Sequence, residues 1–109
     1  MIEKRLKELG IIIPNAPKPA GSYIPVVLTG KLACVSGQIP MKEGKVVFEG
    51  KVPDKQSLDE ARDAAKICII NGLAQLKANL GSLDKITKFV RISGFVNSNP
   101  EFTEQPKVI

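Results

Sequence analysis

Apolar residues recur at two different periods along the chain, and the change of period divides it into elements. Ile2, Leu6 and Leu9 fall at helical spacing in an otherwise charged stretch, and Gly10 follows as a stop, so a short helix is predicted over residues 2–9. The clearest signal runs over residues 57–81. Leu58, Ala61, Ala65, Cys68, Gly72, Leu76 and Leu80 recur every three or four residues and form one apolar stripe. Ser57 and Glu60 match a capping box, and Gly81 can close the helix in a left-handed conformation. Asp59, Glu60 and Asp63 near the start and Lys77 near the end have the signs that the helix dipole favours. A helix of about 23 residues spans roughly 35 Å. The small residues Ala61, Ala65 and Gly72 permit close approach to a flat partner, for which a β-sheet is the natural candidate.

Period-two patterning marks the strands. Val26, Val27 and Leu28 lead into a turn at Thr29-Gly30-Lys31, and Leu32 to Gln38 return. On the return strand Leu32, Cys34 and Ser36 share one face and Ala33, Val35 and Gly37 the other. Lys42-Glu43-Gly44-Lys45 reads as a second turn, with Val46 to Val52 as a third strand in which Gly50 marks a bulge or a close backbone approach. Ile86 to Val96 reads as a long strand, with Ile86, Val90, Ile92 and Val96 on one face and Phe89, Arg91 and Phe95 on the other. Neither face is wholly polar, so both are expected to be covered, and the long helix can cover only one. The fold class expected is α+β, a mixed sheet packed against the long helix in the order β-β-β-α-β, in one domain over residues 1–109. Before the first hairpin, residues 14–25 hold Pro14, Pro17, Pro19 and Pro25 and are expected to be extended.

Composition narrows the chemistry mainly through what is missing. The 109 residues include no His, which removes the commonest acid–base group near neutral pH and the commonest metal ligand. Cys34 and Cys68 are too few for a zinc site, and their apolar neighbours favour two reduced thiols packed in the core. Neither a P-loop nor a G-x-G-x-x-G pattern occurs, so no metal and no cofactor are expected. The N-terminus is charged, without the apolar region of a signal peptide, and no run approaches the roughly 20 apolar residues of a membrane span. A cytoplasmic protein with no membrane contact is therefore expected. The net charge of +5 raises RNA as a partner, but the basic residues are interleaved with acidic ones and no base-stacking pattern is present, which favours a solvated basic surface.

Several segments carry a family resemblance. Pro19-Ala20-Gly21-Ser22-Tyr23 resembles the P-x-G-x-Y motif of the RidA/YjgF family, the reactive-intermediate imine deaminases, and Ser36-Gly37-Gln38-Ile39-Pro40 is identical to its S-G-Q-[IV]-P segment. Ala61 to Leu80 looks like the long helix of one longer branch, whose G-F-V-N-S-x-P-x-F-x-x-Q-P stretch is similar to residues 94–106. The resemblance covers nearly all of residues 9–109. It implies a homotrimer with sites in the clefts between subunits. It also implies hydrolysis of enamines or imines, such as 2-aminoacrylate, to 2-keto acids and ammonia. The alternative in the same family is a non-catalytic small-metabolite-binding protein or an RNA-directed one, an endoribonuclease or translation inhibitor.

The family pattern continues past the point matching Ile109 with a further helix and two strands. That continuation carries the arginine that grips the substrate carboxylate, an asparagine, and a glutamate thought to position water. The expectation is therefore a chain incomplete at its C-terminus. Arg91 is not that arginine, since it precedes the missing helix. It is expected at a subunit interface or, failing that, in solvent. Within residues 1–109 the substrate-binding candidates are Tyr23, Ser36, Gly37 and Gln38. Tyr23 would present its hydroxyl at the cleft mouth. Gly37 could offer its backbone N–H to a carboxylate, because a residue without Cβ lets a ligand come close. Ser36 and Gln38 could orient a ligand or water, or could satisfy nearby backbone groups.

Overall fold

The computed structural model describes residues 1–19 and 21–109. The long helix, α2 (Leu58–Leu80), organises everything else; a short α1 (Ile2–Glu8) precedes it in the chain. The start of α2 is fixed as the capping box requires: Glu60 N–H donates to Ser57 Oγ and Ser57 N–H donates to Glu60 Oε1, both at 3.1 Å. At its end Gly81 has φ +86° and donates its N–H to the Lys77 carbonyl at 2.8 Å, a conformation that a side chain would strain.

Two short antiparallel hairpins lie on α2. In the first, β1 (Val26–Thr29) pairs with β2 (Leu32–Val35), Val26 opposite Val35 and Thr29 opposite Leu32, and Gly30 turns the corner with φ +58°. In the second, β3 (Met41–Lys42) pairs with β4 (Lys45–Val46). Here Glu43 and Gly44 both take positive φ, the requirement of a tight two-residue hairpin turn. A 3-10 turn over Leu83–Lys85 and a short α3 (Gln105–Val108) complete the elements. No helix is long and apolar enough to cross a membrane among the described residues.

Two apolar clusters sit near opposite ends of α2. Towards its C-terminal end Val26, Leu76 and Leu83 are buried together, with Ile2, Leu6, Ile13, Val35 and Leu80 packed around them. Towards its N-terminal end Val52, Ala61 and Val108 form the second, with Leu58, Val96 and Phe102. The first cluster is tied to α1 by Glu3. Its N–H donates to Asp84 Oδ1 at 3.0 Å, and its carboxylate accepts from Ser82 Oγ and pairs with Lys77 Nζ at 2.8 Å.

The α+β class and the long helix agree with the sequence reading, but the sheet is smaller than expected. The third strand does not run from Val46 to Val52. Its ladder ends at Val46, and Val52 instead forms an isolated parallel bridge to Ser98. Gly50, at φ +108°, sits where a Cβ would lie 2.6 Å from Lys55 Cβ, so it marks a close approach rather than a bulge in a ladder. Residues 86–96 form no ladder, and between Ile86 and Val96, which pack against the two clusters, both faces stay largely open: Phe89 is 50% exposed, Val90 73%, Ile92 59% and Phe95 95%. A strand exists only where a neighbour takes its N–H and C=O groups, and among the described residues this segment meets one only at its far end. Cys34 also departs from expectation. It lies exposed on β2, while Cys68 is half-buried on α2, and both are free thiols. The apolar neighbours of Cys34 face outward with it, for Val27, Leu28 and Leu32 are each about half exposed.

Candidate functional site

Midway along α2, between the two apolar clusters, the buried surface becomes polar. Asn71 is 4% exposed and Gln75 7%, one helical turn apart and therefore on the same side of the helix. Each holds a loop by a carbonyl. Asn71 Nδ2 donates to Met41 O at 2.8 Å and, more weakly, to Ile39 O at 3.4 Å. Gln75 Nε2 donates to Pro17 O at 2.6 Å. Proline supplies no N–H, so the proline-rich segment docks through its carbonyls, and Gln75 provides the donor.

These two anchors bring the proline-rich segment and the end of β2 together over the helix, and a cavity of about 50 Å³ lies between them. Tyr23, Gly37 and Gln38 line it together with Asn71 and Gln75. The S-G-Q-I-P segment is thus brought to the same cavity as Tyr23. A Cβ at Gly37 would meet no atom within 4 Å, so this wall is open to a ligand. Gln38 is partly committed, its Nε2 donating to Ser36 O at 3.2 Å. Ser36 does not line the cavity. Its hydroxyl donates to Ile24 O at 2.7 Å and its N–H to Pro25 O at 2.8 Å, which clamps the end of β2 to the segment carrying Tyr23. Arg91 is exposed on the 86–96 segment, away from the cavity, and makes no ion pair among the described residues.

The electrostatics of the cavity are simple. Its lining combines amides, a phenol and backbone with the apolar side chains of Pro17, Ile39 and Met41, and Lys18 borders it; no carboxylate lines it among the described residues. One turn before Asn71, burial pushes the Cys68 thiol up, which keeps it protonated and a poor nucleophile. Sequence reasoning did not single out Asn71, Gln75 or Lys18 for this site. The signal for the first two was present, since a pair of amides at i and i+4 interrupts an apolar stripe at Cys68, Gly72 and Leu76. Gly72, by contrast, is not required for close approach: a Cβ there would sit 3.8 Å from Gln38 Cγ, an ordinary contact.

Comparison with known proteins agrees along the whole chain. Residues 3–109 match the model of the family described as "YjgF/chorismate mutase-like, putative endoribonuclease". Protein TCP17 of Trypanosoma cruzi is 36% identical over 107 residues, covering 98% of this chain and 67% of that protein. Among solved structures, protein Atu1372 from Agrobacterium tumefaciens, described as of unknown function, is 44% identical with a TM-score of 0.85. That match covers 98% of this chain and 64% of the other. A "putative endoribonuclease" from Shewanella oneidensis MR-1 is 30% identical with a TM-score of 0.91, covering 97% and 70%. The chain thus spans about two thirds of the length of these relatives. With the family model matched from residue 3 to residue 109, the chain belongs to the YjgF/chorismate mutase-like family.

Proposed function

We propose that the protein binds a small imino or enamine acid such as 2-aminoacrylate and hydrolyses it to a 2-keto acid and ammonia. The observation that carries this reading is the cavity at the Gly37–Gln38 corner. It sets amides and a phenol beside the apolar Pro17, Ile39 and Met41, has no carboxylate among the described residues, and its volume of about 50 Å³ suits a few-carbon acid better than a nucleobase. In the reaction the enamine first tautomerises to the imine. Water then adds through oxygen to the C=N carbon while nitrogen gains a proton. The resulting carbinolamine loses ammonia, leaving C=O. Such a substrate is already reactive, so orientation and hydrogen bonding supply most of what is needed. A chain without His is compatible with that demand. In this scheme the Gly37 N–H faces the carboxylate, the Tyr23 hydroxyl stands at the mouth, and Gln38 orients ligand or water. Ser36 acts by holding the loop.

The same reading includes assembly into a trimer. The support for it is the apolar surface of the 86–96 segment, where Phe89 is 50% exposed and Phe95 95%. Burial of Phe89 and Phe95 in a subunit interface would contribute on the order of 1.5 to 3 kcal/mol each. Light scattering on the protein is expected to give a trimer, and a monomer would remove this part of the reading.

The test of activity follows 2-aminoacrylate loss by coupling pyruvate to lactate dehydrogenase. Turnover above the spontaneous rate is expected; a rate equal to the spontaneous one refutes the deaminase. A second reading, an RNA-directed protein, is favoured by the description of the Shewanella relative and by the net charge of +5. RNA cleavage or salt-sensitive RNA binding in the absence of deaminase activity would select it.

A further inference from the structure

Asn71 and Gln75 are each more than nine-tenths buried, and the fold uses only the nitrogen end of each amide. Their partners settle which end is which. Ile39, Met41 and Pro17 offer carbonyl oxygens, which only accept, so the NH2 groups face them and the amide oxygens face elsewhere. Neither Asn71 Oδ1 nor Gln75 Oε1 accepts a hydrogen bond among the described residues. Neither is sealed off, since the one buried side-chain atom without a partner among those residues is Gln56 Oε1, in the loop before α2. The space that both residues border is the cavity of about 50 Å³, more than the roughly 10–15 Å³ that one water needs. Two acceptors therefore meet a space from which the described chain supplies no donor.

Their spacing selects the donor. Residues at i and i+4 on a helix have Cβ atoms roughly 5–6 Å apart. A planar nitrogen donating two hydrogens about 120° apart to acceptors about 2.9 Å away spans about 5 Å between them. We propose that Asn71 Oδ1 and Gln75 Oε1 form the nitrogen subsite of this cavity, accepting both N–H groups of a short 2-imino acid in its protonated form. The inference rests on the preceding reading for the substrate class and adds how the site tells C=N from C=O. Accepting both hydrogens favours the iminium, the form that water attacks. The water oxygen bonds to the C=N carbon, the π pair goes to nitrogen, and the proton lost by that water passes to the amine. The C–N bond then breaks with its pair leaving on ammonia, C=O forms, and the hydroxyl proton goes to solvent. The 2-oxo product sets an oxygen against the two acceptors, which favours its release.

The test compares pyruvate with oxamate, a stable isostere in which a planar NH2 replaces the methyl group. Turned about its C–C bond, oxamate sets that NH2 where the imino acid carries its nitrogen. Binding to the protein is followed through backbone amide NMR shifts at Gly37 and Gln38. Oxamate is expected to bind about tenfold more tightly than pyruvate, two net hydrogen bonds being worth roughly that factor. The ratio of affinities is the readout, because a loosened cavity weakens both ligands alike. Gln75→Met and Gln75→Glu both lose the donor to Pro17 O, and only the second keeps an acceptor. The preference for oxamate is expected to fall to about threefold in Gln75→Met and to survive in Gln75→Glu; Asn71→Leu should lower it as Gln75→Met does. Equal binding of the two ligands to the unaltered protein, the result of a water held by both oxygens, overturns the subsite and leaves the substrate class standing. A preference that Gln75→Met and Gln75→Glu change equally, or that neither changes, overturns the role of the Gln75 oxygen. Absence of binding by either ligand to the unaltered protein overturns the subsite together with the substrate class.

Discussion

Replacing Asn71 by leucine removes the donor that holds the 39–41 loop against α2. Of its two hydrogen bonds, the one to Met41 O at 2.8 Å has good geometry, and the one to Ile39 O at 3.4 Å lies at the limit and contributes little. The cost is therefore set by one carbonyl left without its partner beside a 4%-exposed side chain. A buried acceptor without a partner costs about 1 to 3 kcal/mol. The adjoining cavity lowers this, because it has room for a water that can reach Met41, which lines it. The leucine also adds apolar burial. The net expectation is about 1.5 kcal/mol of destabilisation, read by urea unfolding as a midpoint lower by about 1 M with an unchanged slope. Ligand binding should fall with it, since Ile39 and Met41 follow directly on the Gly37–Gln38 wall. A loss below about 0.5 kcal/mol would refute the view that Asn71 anchors this loop, and a changed slope would mean that the perturbation reaches beyond it.

Ser57→Ala removes the side-chain half of the capping box and is expected to cost about 1 kcal/mol in thermal or urea unfolding, with Ser57→Asp close to neutral. Gly50→Ala and Gly37→Ala should differ sharply in unfolding experiments. The first places a Cβ 2.6 Å from Lys55 Cβ at a positive φ and should cost about 1 to 3 kcal/mol. The second meets nothing within 4 Å and should leave stability within about 0.5 kcal/mol while weakening pyruvate binding. The hydrogen bonds from Lys77 and Ser82 hold the Glu3 carboxyl below the usual carboxylate range. Its contribution to the docking of α1 is therefore complete above that range and is lost as pH falls through the lowered value. The hydrogen-exchange protection of α1, taken relative to the intrinsic exchange rate at each pH, should fall on acidification in the unaltered protein, and Glu3→Gln should flatten that dependence.

Local chemistry made the helices and turns legible. The capping box at Ser57 and Glu60, the stop at Gly81 and the positive-φ corners at Gly30 and Gly44 each depend on a few neighbouring residues, and each appears where the sequence places it. The S-G-Q-I-P segment and Tyr23 stand out through the family resemblance rather than through local chemistry, and Tyr23, Gly37, Gln38 and Ile39 line one cavity. Strand length was not legible in the same way. Residues 86–96 alternate as a strand does, yet a ladder is a property of two segments, and the pattern in one is silent about the other. Exposure was misjudged for the same reason: the apolar neighbours of Cys34 lie outside with it, and packing depends on what a third element covers.

The cavity marks the boundary between the two kinds of information. Residue identities along α2 dictated an apolar stripe, and that stripe placed the two clusters near its ends. Only the folded chain decided that Asn71 and Gln75 would be satisfied by carbonyls 30 and 58 residues away, and so would draw Pro17 and the 39–41 loop together. The physical reason is that a buried amide must find partners, but nothing in its own neighbourhood says which ones. Helix caps and tight turns close over three or four residues and can be read locally. A polar site built from segments far apart in the chain exists only once burial has forced each donor to take the acceptor that the fold brings to it.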